Sequence, residues 1–425
     1  MTRRRAKLGR KARMNVIAEQ DLDRIDLGDL DLWEDGPPHA LFTRLRREAP
    51  LHWSPLDDYP HEAGFWSLTR AEDLRKVSLD WETFSSYVGG IMVLDDFGIP
   101  LEGQQQQMIS MDPPRHDRIK ALFQRGFTPK RIAEHEERIR GIVNRVLDRV
   151  AGQDEVELVN EVAAPVVSRV IGSFIGTPEE DDQRHVEETN MVLGFGDEDL
   201  RPTEEAVVEM MTRAWNETME YIAERRANPG MNDLMDVLVH SEVDGEQLSD
   251  TEIFMGLGLL GAAGNDSTRS VFTSGMLGLF ENPDQLSLLL DDPALIPGAV
   301  EELLRFYPAF AHFRRTATRD VEMHGKTIRE GDKVLLWYVA SNRDEQVYAD
   351  PQRLDVTRKP DHQAFGAGGR HFCLGAALAR LEIKVLLEET LRRFPDIEPA
   401  GEPTHARSLF LNQLKTLPVR FSPEA

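Results

Sequence analysis

Ala364-Phe365-Gly366-Ala367-Gly368-Gly369-Arg370-His371-Phe372-Cys373-Leu374-Gly375 is the stretch on which the reading of this chain turns, because it holds the only cysteine among 425 residues. Three glycines ahead of that cysteine permit positive φ and a close backbone approach to something flat. Behind it, Ala376-Ala377-Leu378-Ala379-Arg380-Leu381-Glu382 reads as a helix. Cys373 thus stands where a glycine-rich loop enters a helix. The free N–H groups of a first helical turn favour negative charge, which predicts a lowered thiol pKa and a thiolate available to a metal. A lone cysteine is more commonly a small buried hydrophobe, so its flanks carry the argument.

Two other stretches break local rules. Thr251 to Phe280 reads as a long apolar helix capped by Ser249 or Asp250, yet it holds Gly256, Gly258, Gly261 and Gly264 followed by the polar run Asn265-Asp266-Ser267-Thr268. Each glycine costs up to ~1 kcal/mol against alanine. Tight helix packing accounts for some such glycines, but a helix that also buries polar groups must give them partners, which marks a candidate site. Further on, Glu302 and Arg305 stand at i, i+3 spacing, a pairing common on surfaces and weak by itself.

In their order along the chain these stretches resemble the cytochrome P450 family. Phe365, the glycines, His371 and Gly375 around Cys373 resemble its haem-ligand loop, in which the cysteine is the proximal thiolate of a haem b and favours O–O cleavage. Phe365 stands eight residues before Cys373, one more than the commoner family spacing, and the extra residue falls among Gly368, Gly369 and Arg370. Ala263-Gly264-Asn265-Asp266-Ser267-Thr268 resembles the acid–alcohol pair that relays protons over the haem. Asp266 takes the acid position and Ser267 the alcohol position, where threonine is usual; Ser267 keeps the hydroxyl and is freer at χ1, with Thr268 as a neighbouring hydroxyl. Glu302 and Arg305, followed by Asn342-Arg343-Asp344-Glu345, Asp350-Pro351 and Leu354 to Arg358, resemble the helix and meander that fix the cysteine loop, Arg358 joining Glu302 and Arg305 in a buried network. Arg315 and His371 match positions that bind haem propionates, and His116 with Lys120 matches another such pair, in which arginine is common where Lys120 stands.

The resemblance runs from about Trp66 to Phe421. It implies a mainly α fold with small β-sheets, the haem lying between the long central helix and the cysteine-bearing loop. Segments that the family aims at the distal face are apolar here: Ile91, Met92, Val93, Leu94, Leu259, Ala262, Ala263, Ala309, Phe310, Phe313, Phe410 and Leu411. Apolar walls imply a lipophilic substrate, and the family likeness suggests a terpenoid, a steroid or an alkyl or aromatic hydrocarbon.

Composition bounds the rest. An apolar fraction of 40% suffices for a sizeable core, and the net charge of −24 argues against nucleic acid. One cysteine excludes an internal disulfide and fits a reducing cytoplasm. No apolar run approaches the roughly 20 residues of a membrane span, and no signal-peptide pattern opens the chain. Residues 1 to 13 carry seven basic side chains and no acidic one, so they are expected to form a disordered leader ahead of one domain over residues 14 to 425, with Met14 a plausible start of translation.

Taken in order, Pro37 to Glu48 reads as an amphipathic helix, Phe65 to Thr69 as a strand and Arg70 to Val77 as a helix. Phe84 to Ser110 reads as a long functional loop over the substrate. Asp112 is expected to cap the next helix, with proline in its first turn. Six basic residues between Pro113 and Arg131 (Arg115, Arg118, Lys120, Arg125, Lys130, Arg131) stand against Asp117 alone, a sign reversal expected to dock an acidic ferredoxin-type electron donor. Residues 131 to 227 read as successive helices, with Val207, Val208, Met211, Trp215, Met219 and Ile222 as core.

The expected activity is therefore a soluble haem-thiolate monooxygenase driven by dioxygen and NAD(P)H. The alternatives are a peroxide-driven peroxygenase and a haem-binding sensor or carrier. A thiol hydrolase using Cys373 and His371 is disfavoured, since two residues apart at a helix entrance they are poorly placed as nucleophile and base.

Overall fold

Local signals place most of the helices. The computed structural model describes residues 21–422 apart from 57–58, 60–61, 95–99, 125, 128, 195, 201–202, 232 and 244; the basic leader and Met14 lie outside them. Helix α1 (His39–Glu48) turns Leu41, Phe42 and Leu45 into a core that also holds Trp33 and Trp337. Strands β1 (Leu51–Pro55) and β2 (Gly64–Leu68) pair antiparallel with Trp53 opposite Trp66, their rings 5.0 Å apart. After α2 (Ala71–Leu79) and the short β3 (Phe84–Ser85), a mainly helical block follows: α3 (Arg115–Gln124), α4 (Glu136–Val150), a strand β4 (Glu155–Glu157), α5 (Ala164–Ile175), α6 (Asp182–Leu193) and α7 (Glu204–Ala227). The long α8 (Asp250–Glu281) and α9 (Ile296–Phe306) precede β5 (His312–Ala317) and β6 (Lys333–Trp337). The cysteine loop then feeds α10 (Ala376–Arg393), and β7 (Leu414–Thr416) and β8 (Pro418–Arg420) close the chain.

The largest sheet has the order β1-β2-β6-β5-β3, with β2 and β6 parallel and the other pairs antiparallel. It stands beside the helical block, as a mainly α fold with small sheets requires. Strand β8 pairs with β4 and with Glu398–Pro399, tying the end of the chain to the helices.

Helix α8 runs through the middle of that block. Ser249 caps it in a reciprocal capping box with Glu252. Its glycines do two different jobs. A β-carbon on Gly256 would come within 2.5 Å of the Phe123 ring, and one on Gly264 within 2.9 Å of Ile171, so these two admit α3 and α5. A β-carbon on Gly258 or Gly261 would meet nothing within 4 Å; both residues border a cavity.

Three local expectations need correction. Asp112 does not cap α3, which begins at Arg115; its carboxylate instead accepts the Ser86 N–H at 3.0 Å and the Ser85 hydroxyl. Val208 is 65% exposed although Val207 and Ile222 are buried, because 100° of helical rotation carries it off the apolar stripe. The Phe84 to Ser110 segment is not structureless, since it holds β3 and single helical turns at Leu101–Gln104 and Met108–Ser110.

Candidate active site

The cysteine loop is held by its own backbone and by two neighbours. Gly366, Gly368 and Gly369 all have positive φ, and the Cys373 N–H donates to Phe365 O at 2.9 Å, closing the loop despite its extra residue. The Ser78 hydroxyl donates to Gly368 O at 2.7 Å. Lys120 Nζ donates to Phe372 O at 2.8 Å and to Arg370 O. Cys373 is exposed, its sulfur opening onto the cavity. Burial pushes its thiol pKa up, against the opposing pull of the Gly375 and Ala376 N–H groups, Lys120 and Arg380. The helix entrance alone therefore does not lower the thiol as expected, because desolvation outweighs the partial charges of one turn.

Across the cavity stands the middle of α8. Ser267 and Thr268 both face the open space. The Ser267 hydroxyl donates to Ala263 O at 2.7 Å, leaving its lone pairs free toward the cavity. Thr268 hydrogen-bonds Glu382 of α10, a carboxyl that burial pushes up to about 8 and that the Thr268 hydroxyl offsets only in part. Asp266 does not line the cavity: it is 1% exposed and paired with Arg269. Neither Glu382 nor Arg269 was singled out from the sequence, where both look like ordinary charged helix positions.

At one edge the cavity gathers one buried cation and two imidazoles, of which His116 meets Asp117 Oδ1 at 2.9 Å. Arg315, 4% exposed on β5, has no carboxylate partner among the described residues, and its Nη1 donates to Arg314 O at 2.8 Å. The His371 and His116 rings lie 4.3 Å apart. Burial holds both imidazoles below the usual histidine pKa, and for His371 the Arg315 cation lowers it further. Tyr338, also missed from the sequence, completes this edge. A buried cation left unpaired is costly, so this edge is electrostatically unfinished without an anionic group. Lys120 borders the same cavity, and its ammonium donates to the carbonyls of the cysteine loop.

The cavity measures about 410 Å³. Of the expected wall, Ile91, Met92, Leu259, Ala262, Ala263, Ala309, Phe310, Phe313 and Phe410 border it. Val93 and Leu94 do not: they are buried in the core beside Trp33 and Phe65. Leu411 is also off the wall, paired across a single bridge with Phe310. The roof from α5, α6 and α7, including Ile171, Thr189, Val192 and Met211, was read as core or not at all. Helical periodicity marks an inward face without saying whether a void lies behind it.

Behind the loop, Glu302 and Arg305 are joined by two hydrogen bonds of 2.7 Å. Arg358 Nε reaches the same carboxylate at 3.3 Å, so the expected trio does meet. Arg305 also donates to Asn342 O and Pro351 O, and Asn342 Oδ1 accepts the Gln363 N–H at 2.7 Å just before the loop. A parallel tie went unnoticed in the sequence: Glu301 accepts from Arg380 at 2.6 and 2.9 Å and meets His362 at 3.2 Å, while Arg380 lies over the Phe365 ring.

Three of the six expected basic-face residues, Arg115, Arg118 and Lys120, have described side chains. Arg115 donates to Glu252 and Gln106, Lys120 is turned inward, and of the named trio Arg118 alone is exposed. Arg125 and the side chains of Lys130 and Arg131 lie outside the described residues.

A sulfur open to the cavity, a helix with Gly258 and Gly261 facing it and the buried Arg315 guanidinium at its edge suit a metal cofactor that is bound through cysteine and carries an anionic group, and the residues present fit a haem. Comparison with known proteins agrees. A family model for cytochrome P450 matches residues 294–416. The chain is 38% identical over 408 residues to the methyl-branched lipid omega-hydroxylase of Mycobacterium tuberculosis H37Rv, covering 94% of this chain and 95% of that one. It is 32% identical over 411 residues to linalool 8-monooxygenase of Pseudomonas putida, covering 95% and 100%. A solved Mycobacterium marinum cytochrome P450 in complex with pseudoionone superposes with a TM-score of 0.88 at 34% identity, covering 95% of this chain and 99% of that one. The chain belongs to the cytochrome P450 family, and it is a monooxygenase of that haem-iron family.

Proposed function

We propose that this enzyme hydroxylates a lipophilic small molecule, a terpenoid, steroid or branched alkyl chain, using dioxygen and electrons passed from NAD(P)H through a ferredoxin. The observation that carries the reading is the run of apolar wall residues, Ile91, Met92, Leu259, Ala262, Phe310 and Phe410, over the Cys373 sulfur. The names of the two relatives, one acting on a methyl-branched lipid and one on linalool, support the same class.

The cofactor in this reading is haem b, with Cys373 as its ligand and Arg315, His116 and His371 at its propionates. It supplies the activation of dioxygen. The protein contributes the rest: apolar walls orient the substrate, Ser267 and Thr268 offer hydroxyls for proton delivery, and Asp266 is the acid behind them. Residues 14 to 425 act as one domain in the cytoplasm, behind a basic leader. The electron donor docks over the cysteine loop, where Arg118 and Arg370 offer charge and Phe372 is 43% exposed.

One observation favours a second reading. Because Asp266 is turned from the cavity, a peroxide-driven reaction, which has no need of that acid, is the alternative. Lipophilic compounds should be screened for a shift of the ferric haem to high spin, and the products analysed with a surrogate ferredoxin pair and with peroxide alone. Hydroxylated product only with reductant is expected. Product only with peroxide would replace the monooxygenase reading, and a colourless purified protein would end both.

A further inference from the structure

The cavity has two unlike ends. One is the apolar wall over Cys373, where Val192 and Leu193 at the end of α6 pack with Ile91, Met92 and Phe410. The other lies under the first half of α6 and the second half of α7, where His185, Glu188, Glu217, Thr218 and Tyr221 border the open space. His185 stands eight residues before Leu193 on one continuous helix, so about 12 Å separates the two ends along α6.

Three contacts fix how α6 and α7 meet. The Tyr221 hydroxyl donates to Asp181 Oδ2 at 2.6 Å, Arg184 pairs with Glu217, and Arg213 meets Glu188 at 3.2 Å. Residue numbers that rise on one helix fall on the other, so the two run antiparallel. His185 and Thr218 therefore flank the Arg184–Glu217 pair within one helical turn of each other.

The charges at this end are already matched. Arg184 also holds Asp181 at 2.6 Å, so two guanidiniums serve three carboxylates, and a further carboxylate brought in by a ligand would find no free cation among these side chains. His185 supplies none, because burial and the Arg184 cation beside it hold its imidazole below the usual histidine pKa. What is left unengaged is neutral: no described residue hydrogen-bonds the His185 ring or the Thr218 hydroxyl. A neutral imidazole offers one donor and one acceptor, and a hydroxyl offers both.

We propose that this end of the cavity receives the hydroxyl of a long-chain alcohol, hydrogen-bonded between His185 and Thr218, while the chain runs along α6 to the apolar wall over Cys373. Resting on the reading of this enzyme as a hydroxylase of lipophilic molecules, the subsite narrows the substrate in two ways. The substrate carries a neutral hydrogen-bonding head and not a carboxylate, and the carbon attacked is set by its distance from that head. His185 and Thr218 fix specificity without touching the reacting carbon.

Spectral titration of the ferric holoenzyme with 1-dodecanol, dodecyl methyl ether and dodecanoic acid tests the head. The alcohol is expected to bind about 3-fold or more tighter than the ether, the worth of one ordinary hydrogen bond, and tighter than the acid. Thr218→Val keeps the shape and removes the hydroxyl, while His185→Ala removes the ring; each should shrink the gap between alcohol and ether, and the double variant should close it. His185→Gln should retain part of the gap. His185→Arg supplies the missing cation and should bring the acid above the alcohol. Product analysis reads the distance: 1-dodecanol and 1-tetradecanol should be oxidised at the same carbon counted from the hydroxyl, and His185→Ala should scatter that position. An alcohol that binds no tighter than the ether or the acid, a preference that survives the double variant, or attack at a constant position counted from the methyl end overturns the subsite. If alcohol, ether and acid all fail to shift the haem to high spin, the reading of a lipophilic substrate falls and the subsite falls with it.

Discussion

Arg305 and Glu302 share two hydrogen bonds of 2.7 Å while neither side chain is exposed to solvent. A buried pair is worth little net, but removing one partner leaves an uncompensated charge. Glu302→Gln should therefore cost about 3–5 kcal/mol of stability, measured by chemical unfolding, and should lower haem content. Because Glu302 also accepts the Asp355 N–H and Arg305 also holds Asn342 O and Pro351 O, the double replacement Glu302→Leu with Arg305→Met should not recover the loss.

Arg315 has the opposite logic. It is a buried cation with no carboxylate hydrogen-bonded to it among the described residues, so Arg315→Leu should stabilise the haem-free protein by about 1–3 kcal/mol while weakening haem retention. Unfolding of the haem-free protein and transfer of haem to a scavenger globin read the two effects separately.

Ser267 faces the cavity with its lone pairs free. Ser267→Ala should raise peroxide released per NAD(P)H by about 2-fold or more, well below the ~10²-fold typical of losing a whole general acid, because Thr268 remains. Unchanged coupling would shift the role to Thr268 or to a hydroxyl on the substrate.

The glycines of α8 should respond in two ways. Gly256→Ala drives a methyl into the Phe123 ring and should destabilise by about 1–3 kcal/mol. Gly261→Ala has open space on the protein side, so it should add up to ~1 kcal/mol of helix stability while narrowing the cavity and reducing the affinity for bulky ligands. Thermal unfolding and spectral titration check the pair.

Glu382 sets a pH dependence. Its folded pKa, raised by burial to about 8, lies above the ordinary 4.5. Below the ordinary value both states are protonated. Between the two values only the folded chain holds the proton, so the stability it contributes declines as pH rises and is gone above about 8. The slope is at most about 1.4 kcal/mol per pH unit. Glu382→Gln should flatten the unfolding midpoint between pH 5.5 and 7.5; an unchanged slope would place the titration elsewhere.

How far the chain could be read depends on what kind of signal each residue sends. Ser249, Gly366, Gly368, Gly369 and Cys373 act through local backbone geometry and are legible in the chain alone, whereas the Glu302–Arg305 pair, weak by its helical spacing, is marked by the family resemblance. Arg269, Glu382, Glu301, Arg380 and Tyr338 were not legible, since each is an ordinary residue whose partner lies on another element. Val93, Leu94 and Leu411 were misplaced for the same reason, because hydrophobicity records burial and not what the residue is buried against.

The cysteine loop and the glycine-rich helix that opposes it are legible in the residues alone, because they rest on short-range sterics and spacing along the chain, whereas the burial of the network behind them follows only from the family resemblance. Only the tertiary structure decided which apolar residues border the cavity and which fill the core, that Lys120 turns inward, and that Asp266 is held away by Arg269. Those outcomes depend on desolvation and on acceptors brought together from separate elements, and that proximity is not encoded at any one position in the chain.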